Sequence, residues 1–551
     1  MRANEPLPDR RFGAMTHFAH GWDPVWADIA AVRGVHTVRD ELYWNAVERE
    51  KGVFAFPRQF DLYMDALRRN DVEPLIVLSF ENDNYDQGNT PWSAEAFDAF
   101  GRYGTEVLKR YGPQIRALEI WNEYNGTFCK GPATQDRATT YPKMLRAAYQ
   151  QIKSLRPDVT VLGGATAGVP LPYWEKLMQQ GALDSMDALS IHPYRYENAP
   201  EGLEADIAAL QTLVKKYSRG ETKPIWVTEI GWGTHDAAPG GIAIDEATQA
   251  KFLVRAYALL LSANVERVYW YLFRDDENFT MGLTTADATP KLASYAMQVM
   301  AIELAGARFV RREPTLPDLY SILFVRPSGE EVRVLWSLSP LSLPVAGATR
   351  AVDLTGNMRL APAELALTDT PVFVAGPLTG LPPPPLDLAT TLASSSADFS
   401  GQQGGGNWWY GSSINGSFDE LPHYSVSDWN AAWGGGFAFL SITANDQHPS
   451  VAGDGQPVAA VRRWRSDRVG TVRIKGKFQC STNGDGVGVS IRVNGQPLFR
   501  KLLGGGQSVQ DAFDFEQGVS PDTTIDFAVD PGPAANIDFD ATQVTVEISG
   551  R

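Results

Sequence analysis

The sequence predicts an α/β protein that begins with a closed (β/α)8 barrel and continues into two all-β regions. Eight short apolar runs, rich in β-branched and aromatic residues, alternate with eight amphipathic stretches over about the first 300 residues. Strands that alternate with helices form parallel sheets, and eight such units close into a barrel. After this region the pattern changes to closely spaced strands and turns, which favours antiparallel sheets.

Each predicted strand is an apolar run of about six residues, as expected for buried parallel strands. These strands are Phe12–Phe18, Val35–Asp40, Pro74–Phe80, Ile115–Asn122, Val159–Ala165, Ala188–Pro193, Pro224–Glu229 and Arg267–Phe273. The predicted helices lie between and after them, at Trp26–Arg33, Phe60–Arg69, Ala94–Arg110, Tyr141–Leu155, Trp174–Gln180, Leu203–Tyr217, Glu246–Ala263 and Lys291–Ala305.

Local signals support this assignment. Asp245 precedes the seventh helix and is a candidate N-cap.

The alternative fold is an open doubly wound sheet, which often carries a glycine-rich phosphate loop after its first strand. Here the first strand runs into Thr16–His20, which contains no glycine, so we favour the TIM barrel.

The rest of the chain is predicted to form a small antiparallel β domain and a C-terminal β-sandwich of the jelly-roll type. Leu319–Phe324 and Val332–Trp336 flank a Pro327–Gly329 turn, which is typical of a hairpin. Pro382–Pro385 is a stiff spacer, and the last region is rich in glycine and tryptophan, with a turn at Asn494–Gly495. The expected domains are 1–303, 304–380, a linker at 381–391, and 392–551.

Composition excludes some classes of partner. The net charge of −16 argues against nucleic acid or an anionic membrane as the main partner. No apolar run approaches the length of about 18 residues that predicts a membrane span. The first residues do not resemble a signal peptide. We expect an extracellular or periplasmic protein whose leader is absent from this sequence, with a cytoplasmic location as the alternative.

Cysteine and histidine patterns predict neither a disulfide nor a metal site. The two cysteines, Cys129 and Cys480, lie far apart in the chain and fall in different predicted domains. No histidines lie at ligand spacing near them, so we expect no metal and no cofactor.

The candidate catalytic residues lie at the ends of two predicted strands. The fourth strand leads into Trp121-Asn122-Glu123, and the seventh ends in Thr228-Glu229. Catalytic residues of such barrels lie at the carboxyl ends of strands. Cleavage of a glycosidic bond requires two carboxyl groups on opposite sides of the anomeric carbon. The sequence therefore predicts that Glu123 and Glu229 form this pair, whereas Glu119, deeper in the fourth strand, is expected to be buried and paired.

These motifs resemble those of clan A glycoside hydrolases. More closely, the barrel resembles the family of β-xylosidases and α-L-iduronidases, including bacterial endoglycosidases that cleave exopolysaccharides. The resemblance implies that Glu123 is the acid/base and Glu229 the nucleophile, with retention of anomeric configuration. It rests on Thr37–Asp40, Trp44, Val47–Glu48, Lys51–Gly52, Trp121–Glu123, Ser190–Tyr194 and Lys223–Glu229.

Residues next to this pair are candidates for substrate binding. Asn122 can hydrogen-bond the sugar 2-hydroxyl. Arg39, which ends the predicted second strand, can pair with Glu229 and favour its ionised form, or form a structural salt bridge. His192 and Tyr194 end the sixth strand and can bond the nucleophile or a substrate hydroxyl.

Further candidates are less constrained. Trp270 could form the floor of the sugar subsite, or it could be a core residue of the barrel. Glu81, after the third strand, could hold sugar hydroxyls or lie in a solvated loop. Trp44 and Trp232 complete the predicted substrate contacts.

We therefore expect a retaining glycoside hydrolase that cleaves β-glycosidic bonds in a polysaccharide or oligosaccharide. The loops after the first two strands are short, which favours an open cleft and internal cleavage. A non-catalytic carbohydrate-binding protein and a transglycosylase are the alternatives. The last region resembles β-sandwich modules appended to bacterial polysaccharide-degrading proteins, and its aromatic residues could bind carbohydrate or pack the sandwich. The sequence predicts no oligomeric state.

Overall fold

A computed structural model describes residues 9–196, 198–235, 243–313, 316, 318–379, 381, 390–427, 429–506 and 508–550. The chain divides into two compact units, Met1–Pro385 and Leu386–Arg551. The predicted spacer Pro382–Pro385 lies outside the described residues. Cys129 and Cys480 are buried free thiols, one in each unit.

The first unit contains a closed barrel of eight parallel strands, in which each strand pairs with the next and the eighth pairs with the first. This arrangement confirms the predicted barrel and excludes the open sheet. The strands are β1 (Phe12–Met15), β2 (Thr37–Tyr43), β3 (Glu73–Ser79), β4 (Ala117–Ile120), β5 (Thr160–Ala167), β6 (Ala188–His192), β7 (Ile225–Ile230) and β8 (Val265–Trp270).

Amphipathic helices connect the strands. At α8 the predicted cap is confirmed, because Asp245 Oδ1 accepts a hydrogen bond from the Thr248 N–H at 2.6 Å. None of the helices in the described part of the chain has the length and apolarity needed to cross a membrane. The helices are α1 (Val25–Val32), α2 (Trp44–Val47), α3 (Arg58–Arg69), α4 (Ala94–Tyr111), α5 (Arg137–Leu155), α6 (Leu171–Gln179), α7 (Leu203–Tyr217), α8 (Glu246–Ser262) and α9 (Leu292–Glu303).

Two strand ends differ from the prediction in ways that affect the site. β4 stops at Ile120, because Trp121 and Glu123 adopt left-handed backbone angles with φ of +72° and +43°. Glu123 therefore lies on the loop after β4. β2 continues to Tyr43, so that Arg39 lies inside the strand and points into the closed barrel rather than ending it.

The small β domain packs on the barrel within the same unit. The predicted hairpin is confirmed, since β10 and β11 pair antiparallel around a turn at Gly329. Trp336 Nε1 donates to Glu201 Oε1 of the barrel region at 3.0 Å. A six-stranded sheet and a two-stranded sheet are built from β9 (Arg308–Arg312), β10 (Leu319–Val325), β11 (Glu331–Ser337), β12 (Leu341–Pro344), β13 (Arg350–Val352), β14 (Met358–Leu360), β15 (Glu364–Leu367) and β16 (Val372–Ala375).

The second unit is a β-sandwich of two antiparallel sheets with its own apolar core. The predicted turn at Asn494–Gly495 connects β27 and β28. The strands are β17 (Thr390–Ser394), β18 (Trp408–Ser413), β19 (Asp419–Glu420), β20 (His423–Val426), β21 (Ala431–Gly434), β22 (Ser441–Thr443), β23 (Asp446–His448), β24 (Ser450–Val451), β25 (Pro457–Arg465), β26 (Gly470–Cys480), β27 (Val487–Val493), β28 (Gln496–Leu503), β29 (Gln510–Val519), β30 (Thr524–Asp530) and β31 (Thr542–Gly550).

A fragment ending at Pro385 should fold by itself and unfold cooperatively. The physical reason is that each compact unit has a hydrophobic core built from its own residues. Circular dichroism and thermal unfolding of the fragment against the full chain provide the measurement. Aggregation or loss of cooperative unfolding in the fragment would show that the second unit is needed for folding of the first.

Candidate active site

Glu123 and Glu229 meet at one end of the barrel, on either side of His192. The His192 Nδ1 atom lies 2.9 Å from Glu123 Oε1 and 3.7 Å from Glu229 Oε2. A carboxylate oxygen of Glu123 and one of Glu229 lie within 4.8 Å of each other and of the His192 ring nitrogen. The two carboxylates that the sequence placed after different strands are therefore neighbours.

Glu229 is held by two donors. Arg39 Nη1 donates to its Oε1 at 2.6 Å, and the Tyr194 hydroxyl donates to its Oε2 at 2.7 Å. Burial and then the charge of Glu229 raise the pKa of Tyr194 well above its ordinary value, so that its hydroxyl keeps its proton and remains a donor. These two bonds hold a carboxylate that lines the cavity.

Arg39 also forms the floor below the pair. This fully buried side chain donates to Glu119 Oε2 at 2.5 Å and to Asn122 Oδ1 at 2.8 Å. Burial acts to lower the pKa of Arg39, but the carboxylates of Glu119 and Glu229 outweigh it and raise that pKa. Thr228 Oγ1 and the Ser190 hydroxyl complete the bonds to Glu119. Glu119 is therefore buried and paired, as expected.

His192 connects the floor to Glu123. Its Nε2 atom lies 3.0 Å from Thr228 Oγ1, and the ring is fully buried. Burial acts to lower the pKa of His192, but the charges of Glu229 and Glu123 and the hydrogen bond to Glu123 outweigh it, so that the pKa is raised. A protonated ring donates from Nδ1 to Glu123.

This raised pKa predicts a pH-dependent contribution to stability. The protonated His192 stabilises the folded protein, fully so below about pH 6.5, its unfolded pKa, and less as the pH rises through the higher folded-state pKa. The unfolding free energy of the wild type minus that of His192→Gln should therefore shrink as the pH rises above about 6.5.

Urea unfolding at each pH measures this difference. His36→Gln is a matched control, because burial lowers the pKa of His36 instead of raising it. The unfolding free energy of the wild type minus that of His36→Gln should therefore grow as the pH rises toward about 6.5. If the difference in unfolding free energy between the wild type and His192→Gln stayed constant at every pH, His192 would not carry the positive charge assigned to it.

A cavity of about 410 Å³ opens above the pair, within the size range of small-molecule sites. Among the described residues that line it, four are carboxylates and none is lysine or arginine. The carboxylates are Glu41, Glu123, Glu229 and Asp276. Aromatic rings form much of the wall, and they are Tyr43, Phe80, Phe128, Tyr194, Tyr196, Tyr271 and Phe279.

The tryptophans that the sequence predicted as substrate contacts lie elsewhere. Each indole Nε1–H donates a hydrogen bond to a residue of the surrounding core or loops. Trp44 donates to the Glu48 carboxylate, Trp232 donates to the Asn198 carbonyl, and Trp270 donates to the Met281 carbonyl at 2.7 Å. All three rings are buried in the core and do not line the cavity. Trp270 is therefore a core residue of the barrel rather than a sugar platform.

Three polar candidates, Glu81, His192 and Arg39, are also absent from the cavity lining. Glu81 pairs with Lys130 Nζ at 2.5 Å. His192 and Arg39 act from below, through the two glutamates, whereas Asn122 and Tyr194 reach the lining.

Sequence reasoning missed one wall of the cavity. His17 follows β1 and Glu41 lies in β2, and their Nδ1 and Oε2 atoms face each other at 3.9 Å. Neither atom has a hydrogen-bond partner among the described residues. Burial, then His20, lowers the pKa of His17 to about 3, so its ring is neutral. The available signal was the position of His17 and His20 directly after the first strand.

Two groups of described residues each bring three possible metal ligands within 4.8 Å of one another. In the group Glu123, His192 and Glu229, the Arg39 guanidinium pairs with Glu229 at 2.6 Å. In the group His17, His20 and Glu41, the two imidazole rings stack at 4.5 Å with 29° between their planes.

Residues 81–290 match the family model described as glycosyl hydrolase catalytic core. The barrel carries a glycosyl hydrolase catalytic core. The matched segment includes both Glu123 and Glu229, and the predicted glycoside hydrolase is confirmed at this level.

Several solved structures are similar to parts of this chain, and the first one described here shares its fold. A family 39 glycoside hydrolase from the gut symbiont Bacteroides cellulosilyticus WH2 is 22% identical, with a TM-score of 0.59, over 67% of this chain and 81% of that one. A family 39 β-xylosidase from Caulobacter crescentus is 15% identical, with a TM-score of 0.49, over 68% and 98%. The catalytic domain of family 30 xylanase C from Talaromyces cellulolyticus is 12% identical, with a TM-score of 0.49, over 68% and 98%. No curated protein matches the chain.

Proposed function

We propose that this glycoside hydrolase cleaves β-glycosidic bonds in a polysaccharide or oligosaccharide by double displacement, with Glu229 as nucleophile and Glu123 as acid/base. The observation that carries the proposal is the approach of the two carboxylates, whose oxygens lie within 4.8 Å. Retaining enzymes hold their carboxyl groups about 5–5.5 Å apart, whereas inverting enzymes need about 6.5–9.5 Å to admit a water molecule. The shorter separation favours retention.

The contacts support a different task for each carboxylate. Glu229 accepts a charge-assisted bond from Arg39 and a bond from Tyr194, which direct it toward the anomeric carbon. Glu123 protonates the leaving oxygen as Glu229 attacks, and the glycosyl group is transferred to Glu229. Glu123 then takes a proton from water, which attacks the anomeric carbon and releases Glu229. Asn122, oriented by Arg39, is placed to bond the sugar 2-hydroxyl.

The cavity wall indicates the class of sugar. No lysine or arginine lies among the described lining residues, so none of them would pair with an anionic sugar, and the carboxylate of the nucleophile Glu229 would repel it in a partly desolvated site. Aromatic rings provide apolar faces for sugar rings. We therefore propose a substrate without carboxylates near the scissile bond. We also propose that the glycan is cleaved internally and that the protein acts outside the cytoplasm.

The test combines a polysaccharide panel with product analysis. Size-exclusion profiles should show a rapid fall in chain length, and proton NMR of the first products should show the β-anomer before mutarotation. An α-anomer first would refute retention, and monosaccharide release without a fall in chain length would refute internal cleavage. Redistributed chain lengths without new reducing ends would identify a transglycosylase, and binding without any turnover would identify a carbohydrate-binding protein.

A further inference from the structure

Asp540 of the second unit is a buried acid without a partner. It lies between β30 and β31, its side chain is fully buried, and neither carboxylate oxygen has a hydrogen-bond partner among the described residues. Burying an unpaired carboxylate is unfavourable unless a cation or a set of donors compensates it. This side chain therefore requires a partner that the protein's own described residues do not supply.

Other oxygens surround the same space. Three oxygens face Gly484 at the point where a Cβ atom would stand on another residue. They are the carbonyl oxygens of Asp538 and Phe539, each 3.5 Å from that point, and Asp540 Oδ1, at 3.6 Å. Since glycine has no Cβ, this space is open. An oxygen-rich space next to an unpaired carboxylate is the environment of a hard cation.

The surrounding charge is negative as well. The carboxylates of Asp485, Asp538 and Asp530 lie close enough to interact electrostatically with Asp540. The nearby Arg500 is largely exposed and reaches Asp530, at 3.8 Å. The excess of negative charge around Asp540 would favour binding of a divalent cation.

We propose that the second unit binds a calcium ion through the Asp540 carboxylate and the carbonyl oxygens of Asp538 and Phe539. Calcium accepts six to eight oxygen ligands, carboxylate and carbonyl together, in flexible geometry, whereas magnesium requires a near-octahedral shell and zinc prefers nitrogen and sulfur. Water and the nearby aspartates supply the remaining ligands.

The position of the ion gives it a structural role. Gly484 precedes β27, which belongs to one sheet of the sandwich, and Asp540 precedes β31, which belongs to the other. An ion bound between these loops connects the two sheets at one end and neutralises a buried charge. Calcium should therefore stabilise this unit against unfolding.

Calorimetric titration of the chelator-stripped full chain with calcium chloride, together with thermal unfolding, tests the proposal. We expect one saturable calcium site and a higher unfolding temperature for the second unit, with a much weaker effect of magnesium. The isosteric change Asp540→Asn should lower calcium affinity at least about tenfold, and it should raise the unfolding temperature in chelator, since it removes the buried charge.

Asp419→Asn is a matched control, because Asp419 is an exposed acid in the same unit, and it should bind calcium like the wild type. Gly484→Ala is a second variant, since its methyl group meets the three oxygens at ordinary contact distance and occupies the space beside the ion. The absence of saturable binding to the wild type, or wild-type affinity in both Asp540→Asn and Gly484→Ala, would overturn the proposal. These measurements do not depend on hydrolysis, so they stand apart from the proposed function.

Discussion

Replacing Glu229 with glutamine should reduce kcat on a natural glycan by about 10⁴-fold or more, while the fold is retained. Glutamine has nearly the shape of glutamate but cannot attack the anomeric carbon, so no glycosyl-enzyme forms. Glu123→Gln should have a comparable effect on a glycan, because the leaving oxygen would depart unprotonated. Steady-state kinetics and circular dichroism of each variant provide the measurements.

Chemical rescue separates the two roles. Glu123→Ala should still form the glycosyl-enzyme from an activated aryl glycoside, and added azide should give a product of retained configuration. Glu229→Ala with azide should give the inverted product. Glu95→Gln, which alters an exposed acid that pairs with Lys51 on the outer surface, should leave kcat unchanged. Near wild-type turnover of a glycan by either glutamine variant would refute the assignment.

Arg39→Met should destabilise the protein by roughly 3–5 kcal/mol, because it leaves two buried carboxylates, those of Glu119 and Glu229, without their cation. Activity should fall as well, since Glu229 and Asn122 lose the donor that orients them. Urea unfolding at neutral pH gives the free energy. Arg39→Lys keeps a charge but cannot reach all of these partners, and it should show an intermediate loss.

Arg110→Met is the matched control for this measurement. Arg110 forms a two-point ion pair with Asp61 on the surface, with the arginine half exposed, and water screens such pairs. Its replacement should change the unfolding free energy little. An equal effect of the two substitutions would show that burial of the Arg39 network contributes nothing.

The fold was predictable because its signals are local. Each buried run between helices has the length and the β-branched or aromatic composition typical of a buried parallel strand, and Asp245 caps a helix by contacts within three residues. Glu123 and Glu229 were predictable for a related reason: both sit where a strand ends, and the closure of the barrel brings all strand ends together.

The cavity wall was not predictable in the same way. Whether Trp270 faces the sugar or the core depends on the direction of its ring, which is fixed by a hydrogen bond to Met281 on a loop. The contact of His17 with Glu41 joins β1 to β2 and involves side chains that carry no periodic signal. Arg39 was expected at a strand end, but the extension of β2 to Tyr43 follows from its pairing with β3.

The floor of the cavity is built from residues within strands, whereas much of its wall is built from loops. This difference decides which residues can be changed to alter the sugar preference. Arg39, Glu119 and Thr228 lie within strands and are bonded to one another. The wall instead draws on loops, including those that carry Phe128 and Phe279. Libraries that vary the wall while keeping the floor should therefore yield folded proteins with new sugar preferences. Variation of the floor should chiefly yield unfolded ones, which makes loop grafting the more productive route to engineered specificity.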